Sequence, residues 1–133
     1  MPFLLDASVA LAWCFADETT PKTEAILERL ADDSAIVPTL WEFEVANALL
    51  VAERRHRLSE SQSARFIELL TRLPIHVDVT SSDMAGVLAI GRRHGLSAYD
   101  SSYLVLAERD GVPLATGDEK LRSAASRAGV PLM

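Results

Sequence analysis

Apolar residues are distributed along this chain in two alternating rhythms. Short unbroken apolar runs are separated by longer stretches in which apolar and polar positions recur at helical spacing. The runs at residues 2–5, 35–37, 75–79, 113–116 and 130–133 read as strands. The helical stretches are 7–16, Thr20-Pro21 to about Leu30, Thr39 to Arg55, a segment opened at 59–62 and ending before Pro74, 81–94, Ser97 to Arg109, and Asp118 to Ala128. The punctuation agrees. Thr20-Pro21 is a capping residue followed by proline, and Ser59-Glu60-Ser61-Gln62 is a capping box. Gly95 stops the 81–94 helix, while Gly111 and Pro113 close the next one.

Strands separated by helices imply βαβ crossovers, hence an α/β fold with a central, mainly parallel sheet flanked by helices on both faces. Phe3-Leu4-Leu5 is continuously apolar, as a central parallel strand should be, and it runs straight into Asp6. In such sheets ligands bind outside the carboxyl ends of the strands. Asp6 therefore occupies an edge where sites are built.

Composition adds bounds. With 133 residues, 49% of them hydrophobic, the chain is expected to form one domain over 1–133 with a substantial core. No apolar run approaches the roughly 20 residues that span a bilayer, and no secretory signal is visible, so a cytoplasmic protein without membrane attachment is expected. The single cysteine, Cys14, has no internal partner and reads as a small apolar residue rather than a nucleophile. The net charge of −6 argues against an unaided polyanion binder. Carboxylates gathered to hold a cation, however, count as negative only until the cation arrives.

Each acidic position has a plain structural reading beside a chemical one. Asp6 fits the N-cap of the following helix, and Asp118 fits the N-cap of the last one. Glu42 fits a capping box with Thr39. Glu44 lies about 200° around the helix from Glu42 and shares its face with Leu40, Asn47 and Val51. On a helix that is apolar nearly all round, Glu44 and Asn47 need partners, either each other or a site. Asp100 fits position N3 of a helix capped by Ser97, with Tyr99 and Tyr103 forming one aromatic patch beside it. The parallel architecture places Asp6, Asp100 and Asp118 along one rim, with Glu44 one turn inside its own helix. Four carboxylates converging there could not all ionise without a cation, and oxygen-only ligands suit Mg²⁺ or Mn²⁺. Ser8 and Thr116 are hydroxyls on the same edge, either orienting ligands or capping. His56, His76 and His94 show no ligand spacing, and there is no Gly-rich phosphate loop or G-x-S-x-G motif. The clusters Arg54-Arg55-His56-Arg57 and Arg92-Arg93-His94 sit at helix C-termini, where they complement the dipole or, as a pair, contact phosphates.

FLLDASV (3–9), PTLWEFEVANAL (38–49), LSAYDSSYLVLA (96–107) and LATGDEKL (114–121) together resemble the four acidic motifs of PIN-domain ribonucleases, most of all the VapC toxins of type II toxin–antitoxin systems. The resemblance implies a PIN fold and a Mg²⁺- or Mn²⁺-dependent endoribonuclease. Asp6, Glu44, Asp100 and Asp118 fall on its acidic quartet, with Ser8, Asn47 and Thr116 at the supporting polar positions. Asp6 and Asp100 would be the primary metal ligands, completed by Glu44 and Asp118. It further implies RNA as substrate, products with a 5′-phosphate and a 3′-hydroxyl, a homodimer, and neutralisation by a cognate small antitoxin protein. Two other readings compete: a non-catalytic binding module whose acids are caps, and a different Mg²⁺-dependent phosphoryl-transfer enzyme. The second needs a phosphoacceptor Asp and usually a nearby Lys. Lys120 is the only lysine close to a motif.

Overall fold

The computed structural model describes residues 1–80 and 83–133. The elements in chain order are β1 (Phe3–Leu5), α1 (Ala7–Ala12), α2 (Pro21–Arg29), β2 (Ala35–Pro38), α3 (Leu40–Arg54), α4 (Glu60–Thr71), β3 (Ile75–Asp78), α5 (Met84–His94), α6 (Ala98–Asp110), β4 (Leu114–Ala115) and α7 (Glu119–Ala128). Four strands form one sheet in the order β3-β2-β1-β4, and every pairing is parallel.

That order positions the site. From β1 the chain steps outward to β2 and β3, then crosses back to place β4 on the other side of β1. The strand order thus reverses between β1 and β4, the switch point at which open α/β sheets leave a crevice beyond their carboxyl ends. Phe3, Leu4 and Leu5 are all wholly buried. Successive strand side chains point to opposite faces, so both faces of the sheet are covered. Burying each contributes roughly 1.5–3 kcal/mol. The core continues through Val37, Leu114, Leu104 and Leu121, joined by Tyr103 from α6.

Several expected details differ. The helix expected over 7–16 ends at Ala12, where Trp13 N–H and Cys14 N–H bond back three residues, to the Ala10 and Leu11 carbonyls; the Trp13 indole N–H donates to the Thr23 carbonyl at 2.8 Å. The capping box expected at Thr39 does not form: Thr39 already has helical backbone angles and makes no side-chain cap bond. α3 is apolar around most of its circumference but buries only the stripe Trp41, Val45, Leu49 and Ala52, leaving Phe43 and Leu50 exposed. On α4, Phe66 and Leu70 enter the core while Leu69 faces outward. The helix expected over 81–94 runs from Met84, capped by Asp83, and its first two expected residues lie outside the described ones. The expected strand at 130–133 is reduced to one bridge between Leu114 and Leu132. Both basic clusters sit at helix C-termini as expected, but Arg57 turns away to pair with Asp17 and to lie over the Phe15 ring. Cys14 is half-buried, and burial raises its thiol pKa, which suits an unreactive side chain.

Candidate active site

Asp6 follows β1 directly. Its backbone N–H donates to the Ala115 carbonyl at 2.9 Å, which pins it beside the end of β4. It stands at the cap position of α1, yet its side chain makes no cap bond. Instead Oδ2 accepts two hydroxyl hydrogen bonds, from Ser8 Oγ at 2.7 Å and from Thr116 Oγ1 at 2.6 Å. Each hydroxyl is itself oriented by a backbone amide. Gly117 N–H donates to Ser8 Oγ and Asp118 N–H to Thr116 Oγ1, both at 3.1 Å. A hydroxyl that accepts from an amide must turn its own hydrogen elsewhere, here onto Asp6. Oδ1 receives no protein donor among the described residues.

Asp118 comes from the turn after β4. One of its oxygens accepts from Lys120 N–H at 3.0 Å and caps α7, so the plain reading of this residue holds for that oxygen. Asp100 lies in the first turn of α6, whose amide at this position donates to Ser97 Oγ at 3.1 Å. Burial raises the Asp100 pKa, and the negative charges of Asp118 and Asp6 raise it further, against smaller opposing effects of Ser97 and Lys120. Glu44 projects from the second turn of α3, half-buried, and its Oε1 accepts from the Tyr103 hydroxyl at 2.6 Å. Burial pushes the Glu44 pKa up most; the Tyr103 bond opposes, and the charges of Asp6 and Asp100 add to the rise.

The acids are linked in pairs at this edge: the charges of Asp6 and Asp100 act on Glu44, and those of Asp118 and Asp6 act on Asp100. Among the described residues no Lys or Arg forms an ion pair with any of them. Nor are three His, Cys, Asp or Glu side chains gathered tightly enough among those residues to enclose an ion unaided. The arrangement is an open acidic rim. Asn47, one turn beyond Glu44, is exposed and makes no hydrogen bond among the described residues. Of the two readings of Asn47, a buried pair with Glu44 is excluded, because α3 turns that part of its surface to solvent.

Tyr103 is the residue that sequence reasoning missed. The expected Tyr99–Tyr103 patch does not exist, because Tyr99 is 67% exposed and Tyr103 is wholly buried. The available signal was its place three residues after Asp100 on one helix face. Burial, the bond to Glu44 and the charges of Asp6 and Glu44 all push the Tyr103 pKa far up, so the phenol keeps its proton and acts as a donor.

A groove of about 550 Å³ opens beside Ser8, Thr116 and Asp118, with Lys22 and Arg122 on its walls. A cavity of about 580 Å³ lies along α5 and α6 and meets none of the four carboxylates. The site chemistry points to the first.

Acids at the switch point of a parallel α/β sheet lie where ligand sites of this sheet class are built. The PIN domain family profile matches residues 3–126. Ribonuclease VapC3 of Mycobacterium tuberculosis is 33% identical over 106 residues, covering 80% of this chain and 76% of that protein. Ribonuclease VapC3 of Pyrobaculum aerophilum is 28% identical over 123 residues, covering 91% and 92%. Among solved structures, VapBC2 from Rickettsia felis, bound to a promoter DNA fragment, superposes with a TM-score of 0.71 at 11% identity, covering 100% of this chain and 98% of that one. The chain belongs to the PIN-domain family and, within it, groups with the VapC ribonucleases.

Proposed function

We propose that this protein is a divalent-metal-dependent endoribonuclease, the toxin of a toxin–antitoxin pair. One observation supports the reading: burial together with the charges of neighbouring acids raises the pKa of Glu44 (Asp6, Asp100) and of Asp100 (Asp118, Asp6), and among the described residues no Lys or Arg forms an ion pair with any of the four. Like charges that raise one another's pKa, only partly offset by Lys120, favour a bound cation. All the donors are oxygens, which fits Mg²⁺ or Mn²⁺. An open rim fits Mg²⁺ in particular, which keeps several of its waters.

The residues that would hold the ion are Asp6, through the Oδ1 that Ser8 and Thr116 leave unoccupied, and Asp100. Glu44 and Asp118 would hold it directly or through water. A divalent ion, when bound, supplies charge neutralisation and water activation for phosphodiester hydrolysis. The protein's own part is geometric. Ser8 and Thr116 prevent Asp6 from rotating, and Tyr103 holds Glu44. The groove beside Asp118 is of mixed charge: Lys22 stands on its wall with Glu18 and Glu119, and Arg122 donates to the Thr116 carbonyl, so Lys22 is the cation there with no side-chain bond to the protein among the described residues.

The named relatives are ribonucleases, and the structural neighbours include toxin–antitoxin complexes. These support RNA as substrate and a small antitoxin as partner. Homodimer formation would cover the apolar side chains left exposed on α3 (Phe43, Leu50) and α5 (Met84, Leu88).

The test is RNA cleavage with Mg²⁺, Mn²⁺ or chelator. Asp6→Asn and Asp100→Asn are expected to reduce cleavage by at least about 100-fold while folding normally. Full activity in either variant removes that residue from the catalytic set. If the ions change neither melting temperature nor activity, the metal-dependent reading fails and the binding-module reading takes over.

A further inference from the structure

We propose that Tyr103 is a positioning residue: its buried hydroxyl holds the Glu44 carboxylate in the acidic rim and so determines how tightly a divalent cation is bound there. This rests on the metal-dependent reading above.

Glu44 has a long side chain with several rotatable bonds, is only half-buried, and feels the negative charges of Asp6 and Asp100. Among the described residues, no group of its own helix bonds to its side chain. Left alone, repulsion and solvation would both draw the carboxylate out toward water. The restraint comes from across the fold. Tyr103 is wholly buried in α6, packed in the core with Leu104, Leu114 and Leu121, so its ring has no freedom to follow a moving partner. Its hydroxyl reaches Oε1 of Glu44 at 2.6 Å, bridging α6 to α3. That bond occupies one oxygen and leaves Oε2 as an acceptor.

The chemistry of the donor matters as much as its position. A Lys or Arg in this place would hold Glu44 equally well but would cancel its charge. A phenol is a neutral donor, so Glu44 is fixed while its negative charge stays available to a cation. Asp100 lies three residues before Tyr103 on α6. One rigid helix therefore presents one carboxylate directly and aims a second through a hydrogen bond.

The experiment measures Mn²⁺ affinity by titration calorimetry on the full chain, as wild type, Tyr103→Phe, Glu44→Gln and the double variant. Tyr103→Phe keeps the ring volume and removes only the donor. It is expected to weaken Mn²⁺ binding about tenfold, the size of losing a hydrogen bond to a charged group. Added to Glu44→Gln, it is expected to weaken binding no further, because its effect passes through Glu44. A purely structural tyrosine would lower the melting temperature in chelator and leave ion affinity unchanged. Wild-type affinity in Tyr103→Phe, or an equal loss in both backgrounds, overturns the proposal. A second readout needs no change at Tyr103. Its sequestered hydroxyl proton is expected to shift in NMR spectra on adding Mg²⁺ to wild type and not to Glu44→Gln; the same shift in both would overturn the proposal. If the wild type neither binds Mn²⁺ nor cleaves RNA, the underlying reading of the rim fails first, a result distinct from every outcome of the variant series.

Discussion

At Asp6 the helix-cap geometry and the side-chain chemistry separate. The backbone stands in extended conformation at the cap position, yet both hydroxyl donors approach the carboxylate from the β4 side and from α1, and no amide of α1 does so. Thr116 is buried, so its hydroxyl has no water to replace Asp6. Thr116→Val, which keeps the shape and removes the donor, is expected to cost about 1–3 kcal/mol in urea unfolding. The Ser8 bond remains, so the fold should persist. Protonation adds a second prediction at this scale. Glu44 and Asp100 have folded pKa values raised above the unfolded ones. The folded state then takes up protons before the unfolded state does, so their contribution to ion-free stability increases as pH falls through the raised values. In chelator, melting temperature should rise on moderate acidification from neutrality. With Mg²⁺ the trend should reverse, because protons compete for the same oxygens. Asp78 has the opposite sign. Its hydrogen bonds from Thr80 and Arg109 lower its pKa from 3.8 to about 2. Its contribution is present above the unfolded value and lost only as pH falls toward the folded one, below the window in which the two rim acids act.

Among the elements, helix termini were the most legible features, and one of them carries strain. Gly95, Gly111 and Gly129 all end helices in left-handed conformation, but α3 reaches the same conformation at His56, with φ of 58°. A side chain there costs roughly 1 kcal/mol relative to glycine. His56→Gly is therefore expected to raise stability by about 0.5–1 kcal/mol in chemical denaturation without affecting cleavage, since His56 is remote from the rim. The capping boxes at Thr20 and Ser59 form as their sequences indicate. The one expected at Thr39 fails because the chain enters α3 almost directly from β2 with helical angles already in place, which denies Thr39 the extended geometry a cap requires. Local sequence specifies a cap only when the tertiary connection leaves room for it.

For the whole molecule, the exposed apolar side chains of α5 mark a face to test. Met84 and Leu88 sit one turn apart on α5, 82% and 51% exposed. If that face meets a second copy, Leu88→Glu should convert the wild-type dimer to monomer in light scattering while changing monomer stability by no more than about 0.5 kcal/mol. A wild type that is monomeric at working concentration would remove the dimer from the proposed function. On the proposed function, the net charge of −6 is offset locally by a cation in the rim.

Sequence alone determined the alternation of strands and helices, the parallel sheet, the strand that delivers Asp6, and the acids worth watching. Those depend on hydrophobic period and chain punctuation, which are local. Only the tertiary structure decided which hydroxyls face Asp6, that Asn47 points to solvent, that Tyr103 and Tyr99 part company, and that Glu44 is held from another helix. Those depend on which faces of separate elements meet. The bond from Tyr103 to Glu44 spans 59 residues of chain, and no local period reaches that far.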